Sequence, residues 1–255
     1  MADEVLFEVV DGHTAIITIN RPQQRNAASQ AVRSGLREAF ERFDRDEALR
    51  VAILTGAGDK AFCGGMDLKE MAASGLGVPP RGFLPVIGDN LQVDKPVIAA
   101  VNGVAYAGGW LFAQMCDLCI ASEHATFAIT EAKVGRGMPW AAPLVRMLPQ
   151  RVVMELLLTG APLSARRACE LGYVNAVVPA DQLRAEALAL AATIAANAPL
   201  TVRAARELVY LSSEMGRSAG LRAATHLFDS VYRSEDAAEG PRAFAEKRPP
   251  RWKGR

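Results

Sequence analysis

The chain has 255 residues, of which half are hydrophobic and 22% charged, with a formal net charge of +1. That size and balance suit one large globular domain, or a domain with an appendage. They give no overall field that would draw the chain to nucleic acid, a membrane surface or acidic partners. Cys63, Cys116, Cys119 and Cys169 are sparse and irregularly spaced, as in a reduced cytosolic protein. The acidic start, MADEVLFEVV, lacks a signal-peptide layout, so a cytoplasmic location is expected.

In chain order, Val5–Val10 and His13–Asn20 alternate around Asp11-Gly12 and predict a hairpin. Asn20-Arg21-Pro22 ends the second strand, and Ser29 is positioned to cap a helix whose Val32, Leu36, Phe40 and Phe43 share one face. Arg50–Thr55 reads as a buried strand leading into a glycine-rich loop, Gly56–Gly65, that carries Lys60. Asp67 starts a short helix. Gly75–Gly88 is rich in glycine and proline and is either a lid over a ligand or an ordinary surface loop.

The stretch Lys95–Asp117 is the most informative. Val97–Val101 is of strand type, Asn102-Gly103 turns the chain, and Gly108-Gly109 opens an apolar helical segment, Trp110–Met115. Glycines at a helix start leave backbone N–H groups open to close approach by a ligand oxygen and suit a developing oxyanion. The alternative is a buried strand–turn–helix whose glycines serve packing. Val97–Met115 is also the most membrane-like run, but Asn102, Gln114 and its glycines mark it as buried core.

Strands are expected at Asp117–Ala121 and Thr126–Ile129, with Glu131 at the mouth of a loop, Ala132–Trp140. Burial there would raise the pKa of Glu131 into a useful range for proton transfer. The other reading is a helix-start carboxylate, or one paired with Lys133 or Arg136 on the surface. Helices follow at Arg151–Leu158 and Ala165–Leu171, with a strand at Tyr173–Val178. Asp181–Lys247 is helical, with breaks at Pro199 and near Gly216. No histidine is paired with a nucleophile, the lone Cys116-Asp-Leu-Cys119 does not suit a metal, and the glycines match no dinucleotide or Walker pattern.

Four motifs in order resemble the crotonase (enoyl-CoA hydratase/isomerase) family. They are Asn20-Arg21-Pro22 with Arg25-Asn26-Ala27, then Lys60 through Lys69, then Lys95-Pro96 through Gly108-Gly109, and last Gly240 through Arg248. The resemblance implies an α/β crotonase/ClpP-like fold, a spiral of ββα units over residues 1–195. A helical trimerisation region over 196–255 would follow, in a homotrimer or homohexamer. It also implies an acyl-CoA thioester substrate and no further cofactor, metal, nucleic acid or membrane partner. Backbone N–H groups of Met66 and Gly108 would hold the thioester oxygen, with Glu131 as the catalytic carboxylate. Arg25, Lys60 and Lys69 would lie near the CoA phosphates and adenosine, and Phe244 and Lys247 would close the CoA site from a neighbouring subunit.

The chain departs from the family's hydratases where a second glutamate is usual, because Leu111 stands there. Trp110 and Trp140 also replace small residues and point to an altered acyl pocket. Water addition is easiest with two carboxylates, whereas one suffices to carry a proton between two carbons of an enolised thioester. The expected function is therefore double-bond isomerisation or a related enolate reaction. The alternatives are a hydratase or carnitinyl-CoA dehydratase-like enzyme that recruits another acid, and an acyl-CoA-binding protein with little turnover.

Overall fold

The structure, a computed structural model, describes residues 4–75 and 77–255. Met1–Asp3 of the acidic start and Leu76 of the glycine- and proline-rich loop lie outside the described residues. Asp11 and Gly12 take left-handed backbone, φ 53° and 68°, and close the antiparallel hairpin of β1 (Val5–Val10) and β2 (Thr14–Ile19). Strands β3 (Val51–Gly56), β5 (Val97–Val101), β7 (Leu118–Ser122) and β10 (Ala176–Val178) extend this hairpin in parallel, giving the order β1-β2-β3-β5-β7-β10.

The period-two rule of strands divides this sheet's side chains between two faces. Ile17, Leu54, Val97, Ala99 and Val101 join the main core with α1 (Gln30–Arg45), whose Val32, Leu36, Phe40 and Phe43 are all fully buried. Ser29 caps α1, its hydroxyl accepting from the Val32 N–H at 3.1 Å. Ile16, Val51, Ile53, Ile98, Ala100 and Ile120 face the other way, against Leu183, Ala187 and Ala191 of a helix over Leu183–Ala195.

A second sheet was not legible in the sequence. It consists of β4 (Ala61–Cys63), β6 (Val104–Tyr106), β8 (Thr126–Ala128) and β9 (Leu163–Ser164), in the order β4-β6-β8-β9. The first three strands run parallel. Thus the predicted Gly56–Gly65 loop contains a strand, and another lies between the predicted Asn102-Gly103 turn and Gly108. The chain alternates a strand of the large sheet, a strand of the small sheet and a helix. β3, β4 and α2 (Leu68–Ser74) form one such turn, and β5, β6 and α3 (Gly108–Gln114) the next. This is the ββα spiral. At the corner between β5 and β6, a Cβ on Gly103 would lie 2.5 Å from the Lys60 carbonyl oxygen, so only glycine lets the two segments cross there.

Two buried polar residues of the motifs hold this spiral together. Lys95 is 2% exposed and donates to the carbonyls of Phe43 and Asp46, tying the start of β5 to the end of α1. Asn26 is fully buried in left-handed backbone, φ 54°, which Asn tolerates better than most residues. Its Oδ1 accepts from the Arg21 N–H, and its Nδ2 donates to the carbonyls of Ala57 and Ala61. Asn26→Ala leaves these groups without that partner in an apolar setting and is expected to cost about 2 kcal/mol or more. A urea unfolding curve checks this, and an unchanged midpoint would contradict the role.

Beyond the sheets lie α4 (Leu144–Met147), α5 (Gln150–Thr159), α6 (Ala165–Glu170) and α7, the Leu183–Ala195 helix. Tyr173 and Val174, expected in a strand, instead donate backbone N–H bonds to Ala168 and finish the turn after α6. The C-terminal stretch forms α8 (Pro199–Glu214), α9 (Arg217–Arg233) and α10 (Glu235–Ala245). A break at Ser234, which caps α10, joins those expected at Pro199 and Gly216. Asp117 fastens α8 to the sheet by accepting from Arg206 Nε at 2.8 Å and the Tyr210 hydroxyl at 2.7 Å. No single helix among the described residues is long and apolar enough to cross a membrane, and Val97–Met115 is core strand and helix.

Candidate active site

The three parallel strands of the small sheet each end in one of the predicted catalytic positions. β4 leads through Gly64-Gly65 to Met66, β6 through Ala107 to Gly108, and β8 through Ile129-Thr130 to Glu131. Neighbouring strands lie about 4.8 Å apart, so the three ends fall within about 10 Å of one another. A bond from the Ala107 N–H to the Ala128 carbonyl, 2.8 Å, holds the β6 and β8 exits together. On the other side, a Cβ on Gly108 would come 3.8 Å from the Met66 sulfur, so these two residues touch.

The backbone between them is unusual. Ala107 has φ 52° and ψ −122°, outside the ordinary regions for a residue with a side chain. Gly65 takes φ 101°, and a Cβ on it would lie 3.1 Å from the Tyr106 carbonyl oxygen. Ala107 is an observed strain next to the candidate site, where such strain is commonly found. Among the described residues, neither the Met66 nor the Gly108 N–H donates to a protein acceptor. Met66 is anchored through Gly65, whose carbonyl accepts from the Ala28 N–H at 2.8 Å.

Glu131 begins a 3-10 turn, Glu131–Val134, and is 7% exposed. Its Oε1 accepts from the Trp140 indole N–H at 3.1 Å, while its Oε2 is buried without a hydrogen-bond partner. Burial pushes its pKa above the ordinary 4.5, while the neighbouring backbone and the Trp140 indole act the other way. Of the sequence alternatives for Glu131, the buried carboxylate holds, and it also starts a 3-10 turn; it pairs with neither Lys133 nor Arg136. Among the described residues the buried carboxylates are Glu131 and Asp236, and Asp236 accepts from the backbone of Lys253 and Gly254 in the C-terminal arm.

Leu111 is 1% exposed and belongs to the main core. Trp110 is fully buried against Phe127 and Tyr173, with ring centroids 5.5 and 5.6 Å away. Trp110 is therefore a core residue rather than a lining of an altered pocket, whereas Trp140 does meet the carboxylate. Sequence reasoning passed over Gln114, whose Nε2 donates to the Trp140 carbonyl at 2.9 Å. Its signal was a polar side chain inside an apolar run.

The basic candidates stay at the surface. Arg25, Lys60 and Lys69 are exposed, with the Arg25 carbonyl accepting from the Gly64 N–H at 2.8 Å beside Met66. Lys69 lies in the first turn of α2, whose cap, Asp67, also pairs with Arg21 at 3.0 Å. Phe244 is 88% exposed on α10 and Lys247 follows it in left-handed backbone. No hydrogen bond or ion pair among the described residues joins either to Met66, Gly108 or Glu131.

The loop Gly75–Gly88 is anchored in its second half. Arg33 stacks over Phe83, 4.1 Å from the ring centre, and Arg37 donates to the Gly82 carbonyl and to Asn90. Arg136, from the turn after Glu131, reaches the Gly77 carbonyl at 3.2 Å. The cysteines are free, and burial pushes the thiols of Cys63 and Cys119 up to about 12. Among the described residues no group of three His, Cys, Asp or Glu side chains is placed to hold a metal ion.

Residues 11–255 match the family pattern described as enoyl-CoA hydratase/isomerase. The chain belongs to this family. A carnitinyl-CoA dehydratase of Salmonella typhi is 41% identical over 262 residues, covering 99% of each chain. The solved structure of an enoyl-CoA hydratase from Mycobacterium marinum superposes with a TM-score of 0.91 at 41% identity, over 99% of this chain and 100% of that one. An enoyl-CoA hydratase from Bacillus anthracis gives 0.88 at 33% identity, again over 99% and 100%. The ββα spiral is thus the crotonase fold, and the protein is an enzyme of the enoyl-CoA hydratase/isomerase family.

Proposed function

We propose that this enzyme enolises an acyl-CoA thioester and uses Glu131 alone to move a proton between two carbons, so that a 3-enoyl-CoA becomes a 2-enoyl-CoA. The observation that carries this reading is Glu131 itself: one oxygen anchored, the other buried and unpartnered, with Leu111 apolar where a second acid would stand. Glu131 takes a proton from C2, and the electron pair of the broken C–H bond moves into the thioester carbonyl. The Met66 and Gly108 N–H groups hold the resulting oxyanion, each worth roughly 3 kcal/mol at the transition state. Glu131 then returns the proton at C4, and the double bond forms between C2 and C3. No second carboxylate is needed.

Arg25, Lys60 and Lys69 supply positive charge for the phosphates and adenosine of CoA, a role that exposed basic side chains suit. Coenzyme A enters as part of the substrate, and no other cofactor takes part. Residues 1–195 form the acyl-CoA-binding core and 196–255 the assembly region. Val209, Leu221, Tyr232 and Phe244 are 69%, 60%, 77% and 88% exposed on α8, α9 and α10, a run of large apolar groups that assembly would cover. The expected solution mass is three or six times the 27.3 kDa chain, with Phe244 and Lys247 closing a neighbour's CoA site. Light scattering after gel filtration checks this, and a monomer would contradict it.

A second reading draws on the 41% identity to carnitinyl-CoA dehydratase. In it the substrate carries a 3-hydroxyl, and water is lost or added across C2 and C3 with help from another acid. Product analysis separates the two readings. With a 3-enoyl-CoA, the first predicts a conjugated 2-enoyl ester of unchanged mass; the second predicts no reaction with that ester, and from a 2-enoyl- or 3-hydroxyacyl-CoA a product that differs by one water.

A further inference from the structure

The anchored and unanchored oxygens of Glu131 are not equivalent. Indole N–H is a donor only, so Oε1, facing Trp140 at 3.1 Å, is held as an acceptor. A proton on the carboxyl group therefore sits on Oε2, which has no partner among the described residues. Trp140 is in turn held from behind, because Gln114 Nε2 donates to its backbone carbonyl at 2.9 Å. Gln114 is 6% exposed and ends α3, about 9 Å along the helix from Gly108 at 1.5 Å per residue. One short helix thus sets both the Gly108 donor and, through Gln114 and Trp140, the carboxylate.

We infer that Trp140 is a positioning residue that locks Glu131 with Oε2 as the oxygen that exchanges the proton, and that Gln114 holds Trp140 in that posture. This rests on the proposed role of Glu131. In the first half of the reaction an Oε2–H bond forms as the C2–H bond breaks. In the second half the Oε2–H bond, whose proton exchanges with solvent, breaks as a proton passes to C4. Throughout, Oε1 keeps its bond to the indole. The contact also favours the ionised carboxylate, because a donor bound to a charged acceptor is stronger than one bound to a neutral acid.

The charged groups on the elements packed around Glu131 are Lys133 and Arg136 on its own turn, Arg146 on α4, and Arg151 and Glu155 on α5; α3 brings none. Lys133 is directed away, its stem lying against Gly160, and Arg136 reaches the Gly77 carbonyl. Arg146, Arg151 and Glu155 are exposed. The Trp140 indole is thus the side chain that bonds to the carboxylate.

The test uses Trp140→Phe, which removes the N–H and keeps an aromatic ring, and Gln114→Ala, which frees the Trp140 backbone. The pKa of Glu131 is read in the free enzyme from its 13C-labelled carboxyl resonance, assigned by its loss in Glu131→Gln. The pH dependence of kcat is read alongside it. The inference predicts that Trp140→Phe raises the Glu131 pKa by about one pH unit and moves the acid limb of kcat by the same amount. kcat should fall while KM stays close to that of the wild type. Gln114→Ala should produce a smaller shift in the same direction, and it alone suffices for the test if Trp140→Phe fails to fold. An unchanged Glu131 pKa would overturn the inference even if Glu131 proves essential. A shifted pKa with an unmoved kcat limb would overturn the proton-transfer role of Glu131 on which it rests.

Discussion

Replacing Glu131 by Gln is expected to cut turnover by about 10²- to 10⁴-fold, the usual contribution of one positioned proton-transfer group, while affinity for CoA esters persists. The same substitution is expected to make the protein more stable at neutral pH. The native carboxyl has its pKa raised above 4.5, mainly by burial. Between the unfolded and native values the folded state holds the extra proton, so stability falls as pH rises through this window. Above the native pKa the folded protein carries a buried charge, with one oxygen lacking any partner. Gln at this position carries no charge and does not incur that loss. The melting temperature of Glu131→Gln should therefore exceed that of the wild type at pH 7, and the difference should shrink as pH falls towards 4.5. Equal melting temperatures at every pH would contradict a strained native carboxylate. Retained turnover would contradict its role in the chemistry.

Gly109→Ala is expected to abolish activity by a different route. A Cβ on Gly109 would lie 2.0 Å from the Cys63 carbonyl oxygen and 2.8 Å from its carbon, both backbone atoms of β4. Neither can yield as a flexible side chain would, so α3 has to move. Every residue of α3 is buried, and the helix presents Gly108 at one end and Gln114 at the other. Overpacking against rigid backbone is expected to cost about 3 kcal/mol or more. The neighbouring Gly108→Ala is the control. Its Cβ would meet only the Met66 side chain at 3.8 Å, an ordinary contact. Its stability should stay within about 1 kcal/mol of the wild type. Urea unfolding of the pair checks this, and equal midpoints for Gly109→Ala and the wild type would show that α3 is not seated against β4.

Much of this architecture was legible in the sequence because periodicity records which faces are buried. Val32, Leu36, Phe40 and Phe43 declared the inner face of α1, Asp11-Gly12 declared the hairpin, and Ser29 and Asp67 declared two helix starts. Glu131 stood out as a lone acid after an apolar strand, and the structure buries it there. The small sheet was hidden because β4 and β6 have three residues each, too few to show alternation, and they lie between glycines that read as loops. The bonding roles of Gln114 and Asn26 were hidden for another reason. Their partners are backbone carbonyls distant in sequence, at Trp140, Ala57 and Ala61, and no local pattern announces such pairs. Trp110 misled because side-chain size does not tell a core residue from a pocket lining; Phe127 and Tyr173 supply its packing.

The central claim is that a single carboxylate moves a proton without adding water. The direct test is to incubate the purified protein in deuterated water with trans-3-enoyl-CoA and trans-2-enoyl-CoA of short and medium chain, and to follow the acyl products by mass. The account predicts interconversion of the two esters, deuterium entering carbon-bound positions, and no hydrated product. A product heavier by one water would contradict it and would assign the chain to hydration, with a second acid beyond Glu131.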